Sequence, residues 1–491
     1  MDNKIKRLIE RKKGIKQNFI RQNQEKKIYD KQSFVSSTDK ITEPSKSIDI
    51  LEWCEVLVVG GGPSGISAAI GSARAGAQTV LIEKFGCLGG VITTVGMETL
   101  GWYRYQGTTD CTGIGIEMEK IAAKMGGTIK WPYNDSQCLD ADFFKVVADK
   151  LIEENNIKPI LHCYTVDAIV EHNIIKGVIT ESKSGRKAIM AKRVIDCTGD
   201  ADVCHYAGAP YTMLNKKDRM AVTTVLNCAG VNKSEFLNYT NQNQKTYKDW
   251  SKDWNIITDQ KEDNLPTPYF DQEFKDINPE KKGELTGTWS SITNAGEATN
   301  LNIAHMKGYD CTDVNDLTQA EIEGRKLSME ALMALKKNVP GFEKAKLRNF
   351  GMTLGTRDSR KIVGEYNLTG EDVTNQARFS DSIGIFPEFL DGYNILLIPT
   401  TGRYFQVPFR CLVPLKIENL LAAGRCVAGD DISHTAMRNM MACTVTGQGA
   451  GVAAAISLKN NQIVRNVNIN DVQNELVRQG VNIDIKIKSK L

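Results

Sequence analysis

Three glycines, Gly60, Gly62 and Gly65, stand on a G-x-G-x-x-G spacing, and an acid, Glu83, follows about twenty residues further on. Each glycine has its own task. The first turns the chain sharply, the second lets backbone N–H groups approach a pyrophosphate, and the third lets a helix pack close to a strand. A phosphate held there sits on a helix N-terminus, opened here by Pro63 and Ser64, where unpaired N–H groups and the helix dipole favour negative charge. Glu83, with Lys84 beside it, closes the next strand where an acid would bind ribose hydroxyls. This chemistry is dinucleotide binding. The competing reading is a glycine-rich turn in another α/β domain.

Such a loop must be held by strands and helices. Val56 to Val59 is a short apolar run suited to a parallel strand buried on both faces, and Thr79 to Ile82 is the next strand. From Val91 to Gly101 and Trp102 to Gly115 the chain is rich in Gly, Thr and aromatics and lacks periodicity, as a ligand-lining segment would. Asp140 reads as the N-cap of a helix from Ala141 to Glu154, with Phe144, Val147, Ala148 and Leu151 on one face. Alternating runs at Ile160 to Val170, Ile174 to Thr180 and Ala188 to Ile195 predict a three-stranded antiparallel meander. Its last strand delivers Thr198, Gly199 and Asp200, and strand ends of this kind face the ligand crevice of an open α/β sheet.

Later, Val222 to Cys228 reads as a strand and Thr318 to Lys337 as a helix, while Thr240 to Pro279 is polar and holds Trp250 and Trp254. Asn419 to Gly424 is again an apolar strand, and Gly447 to Ala455 a helix of small side chains. Val472, Leu476 and Val477 share a face of the tail. The expected organisation is a polar arm over 1–50, a nucleotide-binding domain over 51–205 and 392–461, an inserted substrate domain over 206–391, and a C-terminal helix and tail over 462–491.

A net charge of +3 over 491 residues sets up no global field for nucleic acid or an acidic substrate. The twelve cysteines are scattered singly without a C-x-x-C pair, which argues against iron–sulfur, structural zinc and a redox-active pair, so no metal site is expected. No apolar run reaches a membrane span, and no signal peptide is legible, so the expectation is a cytoplasmic protein with reduced thiols. In the arm, Arg11-Lys12-Lys13 and Lys26-Lys27 lie among Asn and Gln, and Ile5, Leu8, Ile9, Phe19 and Ile20 allow a weak amphipathic helix. Docking to an anionic surface or partner is one reading. A solvated extension that packs on its own domain is the expected one.

Several further stretches carry a resemblance. They are Leu88-Gly89-Gly90; Ile195 to Pro210, with Cys197 where alanine is usual; Gly355, Arg357, Asp358, Ser359 and Arg360; Phe405 to Arg410 and Leu412-Val413-Pro414; Asn419 to Cys426, which includes Gly424 and Arg425; and Ser433 to Arg438, leading to Cys443, Gly447, Gln448 and Gly451. In this order, residues 52 to 485 resemble the FAD-dependent oxidoreductase family of the glutathione-reductase-like superfamily, distantly related to fumarate reductase flavoproteins. Asp431 departs from the family's frequent histidine, and Met441 from its usual proline. The resemblance implies an α/β fold: a Rossmann-like, glutathione-reductase-like FAD-binding domain, with a parallel sheet and three-stranded meander, carrying an inserted α+β substrate domain. It also implies FAD as cofactor, held by Gly60, Gly62, Pro63, Ser64, Gly65, Glu83, Lys84, Gly89, Gly90, Thr198, Gly199, Asp200, Gly424, Arg425, Gly447, Gln448 and Gly451.

A flavin accepts a hydride at its own ring, and reduction leaves negative charge near the pyrimidine edge. The stretch from Arg438 to Gly451 is where the resemblance puts stabilising donors; for Gly447, Gln448 and Gly451 close helix packing is the alternative. His434 is the implied base, because imidazole titrates near neutrality. Asp430 and Asp431 could orient it, take the proton, or cap a turn. Arg357, Arg360, Arg410 and Arg438 form an anion set that would suit a carboxylate substrate, unless they pair with Asp358, Glu365 or the FAD phosphates. The catalytic set is thus His434, Arg438, Asp431 and Arg357. Cys87, lacking a partner cysteine, reads as a small apolar residue.

The expected activity is a dehydrogenase or reductase acting on a small organic molecule, for which an anion is one option. With no second strand–glycine–helix unit for a nicotinamide, an external electron donor or acceptor is expected, or oxygen. A flavin monooxygenase or oxidase is the alternative enzyme. A nucleic-acid or complex-associated flavoprotein using the arm is the alternative from another class, although nucleic acid is not favoured. A homo-oligomer is compatible with all three.

Overall fold

The computed structural model describes residues 27–29, 45–100, 111–130, 137–242, 255–257, 291–393, 395–397 and 403–484, with isolated positions 274, 277 and 285. The amphipathic pattern of the arm, the stretch from Trp102 to Asp110, and Trp250 and Trp254 lie outside the described residues. Within the arm, Lys27–Tyr29 pairs antiparallel with Tyr211–Met213.

Strand β1 (Ile50–Val59), helix α1 (Pro63–Arg74) and strand β2 (Thr79–Ile82) form the expected unit. β1 starts six residues before the apolar run because Ile50 to Cys54 still pair with β6 (Gly185–Asp196), although Trp53 there is exposed. The segment expected to be irregular through Gly115 turns helical at α2 (Ile114–Lys124). Gly115 lies inside this helix, and a Cβ there would lie 2.3 Å from Thr444 Oγ1, so this glycine serves close packing. Helix α3 (Ala141–Glu154) is capped as expected, the Asp140 carboxylate accepting from the Phe143 N–H at 2.8 Å.

The run read as one strand from Ile160 is divided. Strand β3 (Lys158–Ile160) joins β2 in parallel, and only β4 (Tyr164–Glu171), β5 (Ile174–Ser182) and β6 make the antiparallel meander. β6 does two jobs: its first half pairs with β5, and its last residues, Val194 to Asp196, pair in parallel with Leu420–Ala422. The sheet order is therefore β3-β2-β1-β6-β5-β4, with Leu420–Ala422 on the far side of the end of β6.

A second sheet stands apart. Strands β7 (Val222–Ala229), β8 (Ser291–Ile292), β9 (Ala298–Met306) and β10 (Lys346–Phe350) pair antiparallel in the order β8-β9-β7-β10. Helix α4 (Val314–Asn338) packs on it through Ala320, Leu327, Ala331 and Leu335. This core draws on residues between 222 and 354, whereas buried residues from Ile362 to Leu397 belong to the first core.

After β11 (Leu390–Gly392) and β12 (Leu420–Ala422), the chain forms α5 (Asp431–Met437), α6 (Met440–Lys459) and α7 (Ile469–Arg478). α6 crosses α1 almost backbone to backbone. A Cβ at Gly447 would lie 2.1 Å from Ser64 O, and one at Gly451 2.0 Å from Ala68 O. By length and composition α6 could cross a membrane, but it is 94% buried inside the first core. On α7, Val472 and Leu476 are buried while Val477 is exposed.

Candidate active site

A cavity of about 420 Å³ runs from the glycine loop to the second sheet. At its outer end Gly60 has φ +101°, and a Cβ there would meet Cys197 O at 2.5 Å. Gly65 sits so close to Gly60 O that a Cβ would be 1.7 Å away. Gly62 and Gly90 face each other, and Gly60, Gly62, Pro63, Ser64, Lys84 and Gly90 all line the cavity. The N–H groups of Ser64 and Gly65 precede the first helical acceptor and are available to an anion. Glu83 lines the cavity and also clamps the loop, accepting from Gly61 N at 2.6 Å and Phe85 N at 2.9 Å. Gly89 lies behind, its N–H donating to Gly61 O at 2.8 Å. Cys87 is half-buried, its Sγ 3.8 Å from Thr93 Oγ1.

The turn after β6 is organised by buried Asp196, which accepts from Thr198 N, Thr198 Oγ1 and Cys204 N. Thr198 and Gly199 reach the cavity. Asp200 does not: it accepts from Arg425 at 2.7 Å and Ser359 Oγ at 2.5 Å. Arg425 lines the cavity with this charge already paired, and Gly424 packs against Ser64.

Gly447, Gln448 and Gly451 lie at the α1–α6 crossing and not in the cavity wall, so close helix packing describes them. Gln448 accepts from Ile114 N at 2.9 Å and donates to Gln479 at 3.1 Å. What α6 offers the cavity is its N-terminus, through Asn439, Met440 and Cys443, where the first N–H groups have no intrahelical acceptor.

The inner end is lined by Thr223 of β7, Asn300 and Asn302 of β9, Leu354 to Arg357, Phe389, Asp391 and Arg438. Sequence reasoning missed Thr223, Asn300, Asn302 and Asp391. The one local sign was an asparagine inside a strand, and Asn300 adopts φ +52°. Arg438 pairs with Asp391 at 2.9 Å. Arg357 Nη2 donates to His305 Nε2 at 2.8 Å, and His305 Nδ1 to Ile303 O at 3.3 Å, which sets the tautomer. Burial and the Arg357 charge hold His305 well below the usual imidazole range. The other two arginines of the expected anion set are elsewhere: Arg360 binds Asp202 and Arg410 binds Asp381.

His434 is not in the cavity wall. It is buried behind Arg357, donating from Nε2 to the Arg357 carbonyl at 3.0 Å. Burial, then repulsion by Lys361, lowers its pKa to about 3, so near pH 7 it stays neutral and is a weak proton acceptor. It belongs to a buried cluster in which Lys361 Nζ lies 2.8 Å from Asp358 and 3.7 Å from Asp431, and the Tyr393 hydroxyl donates to Asp358. Asp431 is held in that cluster, and Asp430 caps α5 through Ser433 N at 2.7 Å.

These shifts predict opposite acid and base limbs of stability. The folded pKa of His434 is depressed, so its contribution is present above about 6.5 and is lost as pH falls toward 3. Glu98 accepts from Thr299 Oγ1 of β9 at 2.5 Å, and burial raises it to about 7. Its contribution is present below about 4.5 and is lost as pH rises through 7. His434→Gln should flatten the melting-temperature profile on the acid side, and Glu98→Gln on the neutral side. Unchanged profiles in both variants would refute this assignment.

The residues at the outer end fit the pyrophosphate and ribose of FAD, and the α6 N-terminus fits the electron-rich edge of a flavin. A family model described as FAD dependent oxidoreductase matches residues 55–476. The chain is 14% identical to a geranylgeranyl bacteriochlorophyll reductase-like protein from Thermoplasma acidophilum, over 88% of this chain and 84% of that one, with a TM-score of 0.45. It is 11% identical to p-nitrophenol 4-monooxygenase from Pseudomonas putida, over 87% and 85%, with a TM-score of 0.44. For glycine oxidase from Geobacillus kaustophilus the values are 10%, 84% and 95%, and 0.39. With a family match reaching from β1 into α7, the chain belongs to the FAD-dependent oxidoreductases and is an FAD-binding enzyme.

Proposed function

We propose that the enzyme moves a hydride between a small organic substrate and FAD, exchanging electrons with an external partner. The observation that carries this is the single cavity joining the glycine loop to an inner end walled by the second sheet. When bound, FAD supplies the hydride acceptor or donor at its ring. Gly60, Gly62 and the α1 N-terminus hold the pyrophosphate, and Glu83 takes the ribose. The α6 N-terminus stabilises negative charge on the reduced ring. Thr223, Asn300 and Asn302 orient the substrate, and Phe389 and Leu354 exclude water. Of the three acids in the wall, Glu83 holds the loop, Asp202 pairs with Arg360 and Asp391 pairs with Arg438.

Purified protein should show a flavin spectrum that bleaches on anaerobic photoreduction and returns with an acceptor. Slow return in oxygen and fast return with an artificial acceptor is the dehydrogenase result; rapid return in oxygen alone would replace this reading with an oxidase or monooxygenase. Protein that stays colourless after reconstitution with FAD would remove it.

A further inference from the structure

Arg357 differs from the other arginines of the cavity wall and of the expected anion set in what its charge meets. Arg360, Arg410, Arg425 and Arg438 each pair with a carboxylate. Among the described residues Arg357 makes no salt bridge, and the one bond of its guanidinium goes to the neutral ring of His305. Burial, with repulsion by Arg438, lowers its pKa to about 10, which leaves it charged near neutral pH. Arg357 is half-buried in the cavity wall, and Asp391, whose charge also acts on it, is committed to Arg438, so the wall keeps positive charge for an anion that arrives from outside.

We propose that the inner end is a carboxylate subsite and that the substrate is an organic monocarboxylic acid, gripped by Arg357 with Arg438 as the second cation. This deepens the flavoenzyme reading and rests on it. The backbone behind Arg357 is held rigidly. Its carbonyl accepts from His434, and two residues earlier Gly355 exchanges both backbone hydrogen bonds with Thr223, at 2.8 and 3.1 Å. One Nη2 hydrogen goes to His305, and among the described residues Nε, Nη1 and the second Nη2 hydrogen are uncommitted, so Nη2 with either Nε or Nη1 can make a two-point grip on a carboxylate. Thr223 Oγ1 lines the same end, is buried and has no hydrogen-bond partner among the described residues, so a second polar atom is ready for the ligand. The charges of Arg357 and Arg438 less that of Asp391 leave one positive charge, which one carboxylate neutralises. The FAD phosphates belong to the α1 N-terminus at the other end of the cavity. The remaining rival for Arg357 is the flavin's own pyrimidine edge.

The test uses full-length holoprotein titrated with acetate, glycolate and benzoate, each against its amide, followed by the absorbance of bound FAD and by melting temperature. The acids should perturb the flavin spectrum and raise the melting temperature while the amides do neither. Arg357→Gln should weaken the acids about tenfold or more, and Arg357→Lys should recover part of the loss, with FAD content unchanged in both. Equal binding of acids and amides, equal competition by sulfate, or an unweakened Arg357→Gln would overturn the proposal. So would a variant that loses FAD or shifts only the flavin potential, since Arg357 would then serve the cofactor. If no FAD is taken up, the flavoenzyme reading falls by that result, and the melting-temperature arm on the same protein still decides whether acids bind at Arg357.

Discussion

Gly62→Val should yield a folded protein that no longer retains FAD. Gly62 has φ −74° and ψ −172°, a region open to any residue. A Cβ there meets nothing nearer than Gly90 Cα at 3.8 Å, so the substitution costs the apoprotein little. The methyl groups of valine would instead occupy the mouth of the loop where the pyrophosphate reaches the N–H groups of Ser64 and Gly65. Losing two charge-assisted hydrogen bonds at roughly 1.5–3 kcal/mol each lowers affinity roughly 100-fold or more. Gly65→Ala should behave differently. Its Cβ would overlap Gly60 O, forcing α1 off the sheet, so the fold itself should fail. FAD content by absorbance and melting temperature by circular dichroism separate the two outcomes. A Gly62→Val protein with a full complement of FAD would sink the placement of the pyrophosphate.

Lys361→Met should be the most destabilising single change in the buried cluster behind the site. Lys361 is 1% exposed and lies between Asp358 and Asp431. Burial alone would raise the Asp358 carboxyl, but the Lys361 charge, together with the hydrogen bonds from Lys361 and Tyr393 and the neighbouring His434, outweighs it and holds the group well below the usual carboxylate range. Removing the lysine strands a buried carboxylate, at a cost of about 3–5 kcal/mol. The sign of the pH dependence follows. In the wild type the Asp358 contribution is present above about pH 4 and fades as pH falls. In the variant Asp358 gains stability by taking a proton, so the gap between the two proteins should narrow from pH 7 toward pH 4. Asp358→Asn combined with Lys361→Met should recover most of the loss. A gap that stays constant across this range, or a double variant no better than the single one, would show that the ion pair is not what holds this cluster.

His434 connects this cluster to the cavity. Its Nε2–H holds the Arg357 carbonyl, its own helix α5 leads to Arg438, and Tyr393, bound to Asp358, lies two residues beyond Asp391. The residue expected to be the base thus lies behind the cavity wall and holds the backbone of a residue that lines it.

The sequence by itself determined the parts whose physics is local. A glycine whose neighbour in space is five residues away, a strand that alternates, and an aspartate that caps the helix it precedes are all decided by backbone sterics and near neighbours. The glycine loop, Glu83, the Asp140 cap and the meander were therefore legible. The short β3 was not, because three residues carry too little pattern to separate it from the run that follows. Tertiary structure decided the rest. Small residues on α6 and at Gly115 suit a ligand or another backbone equally well, and only the crossing with α1 and the contact with Thr444 show which they meet. Four arginines looked alike until acids from distant segments, Asp202 and Asp381, approached two of them and left Arg357 without one. His434 could not be read as neutral from its motif, since its pKa depends on burial and on Lys361. The polar wall at Thr223, Asn300 and Asn302 was invisible for the same reason: strand alternation says which side chains share a face, and only the docking of the second sheet says that this face closes a cofactor cavity.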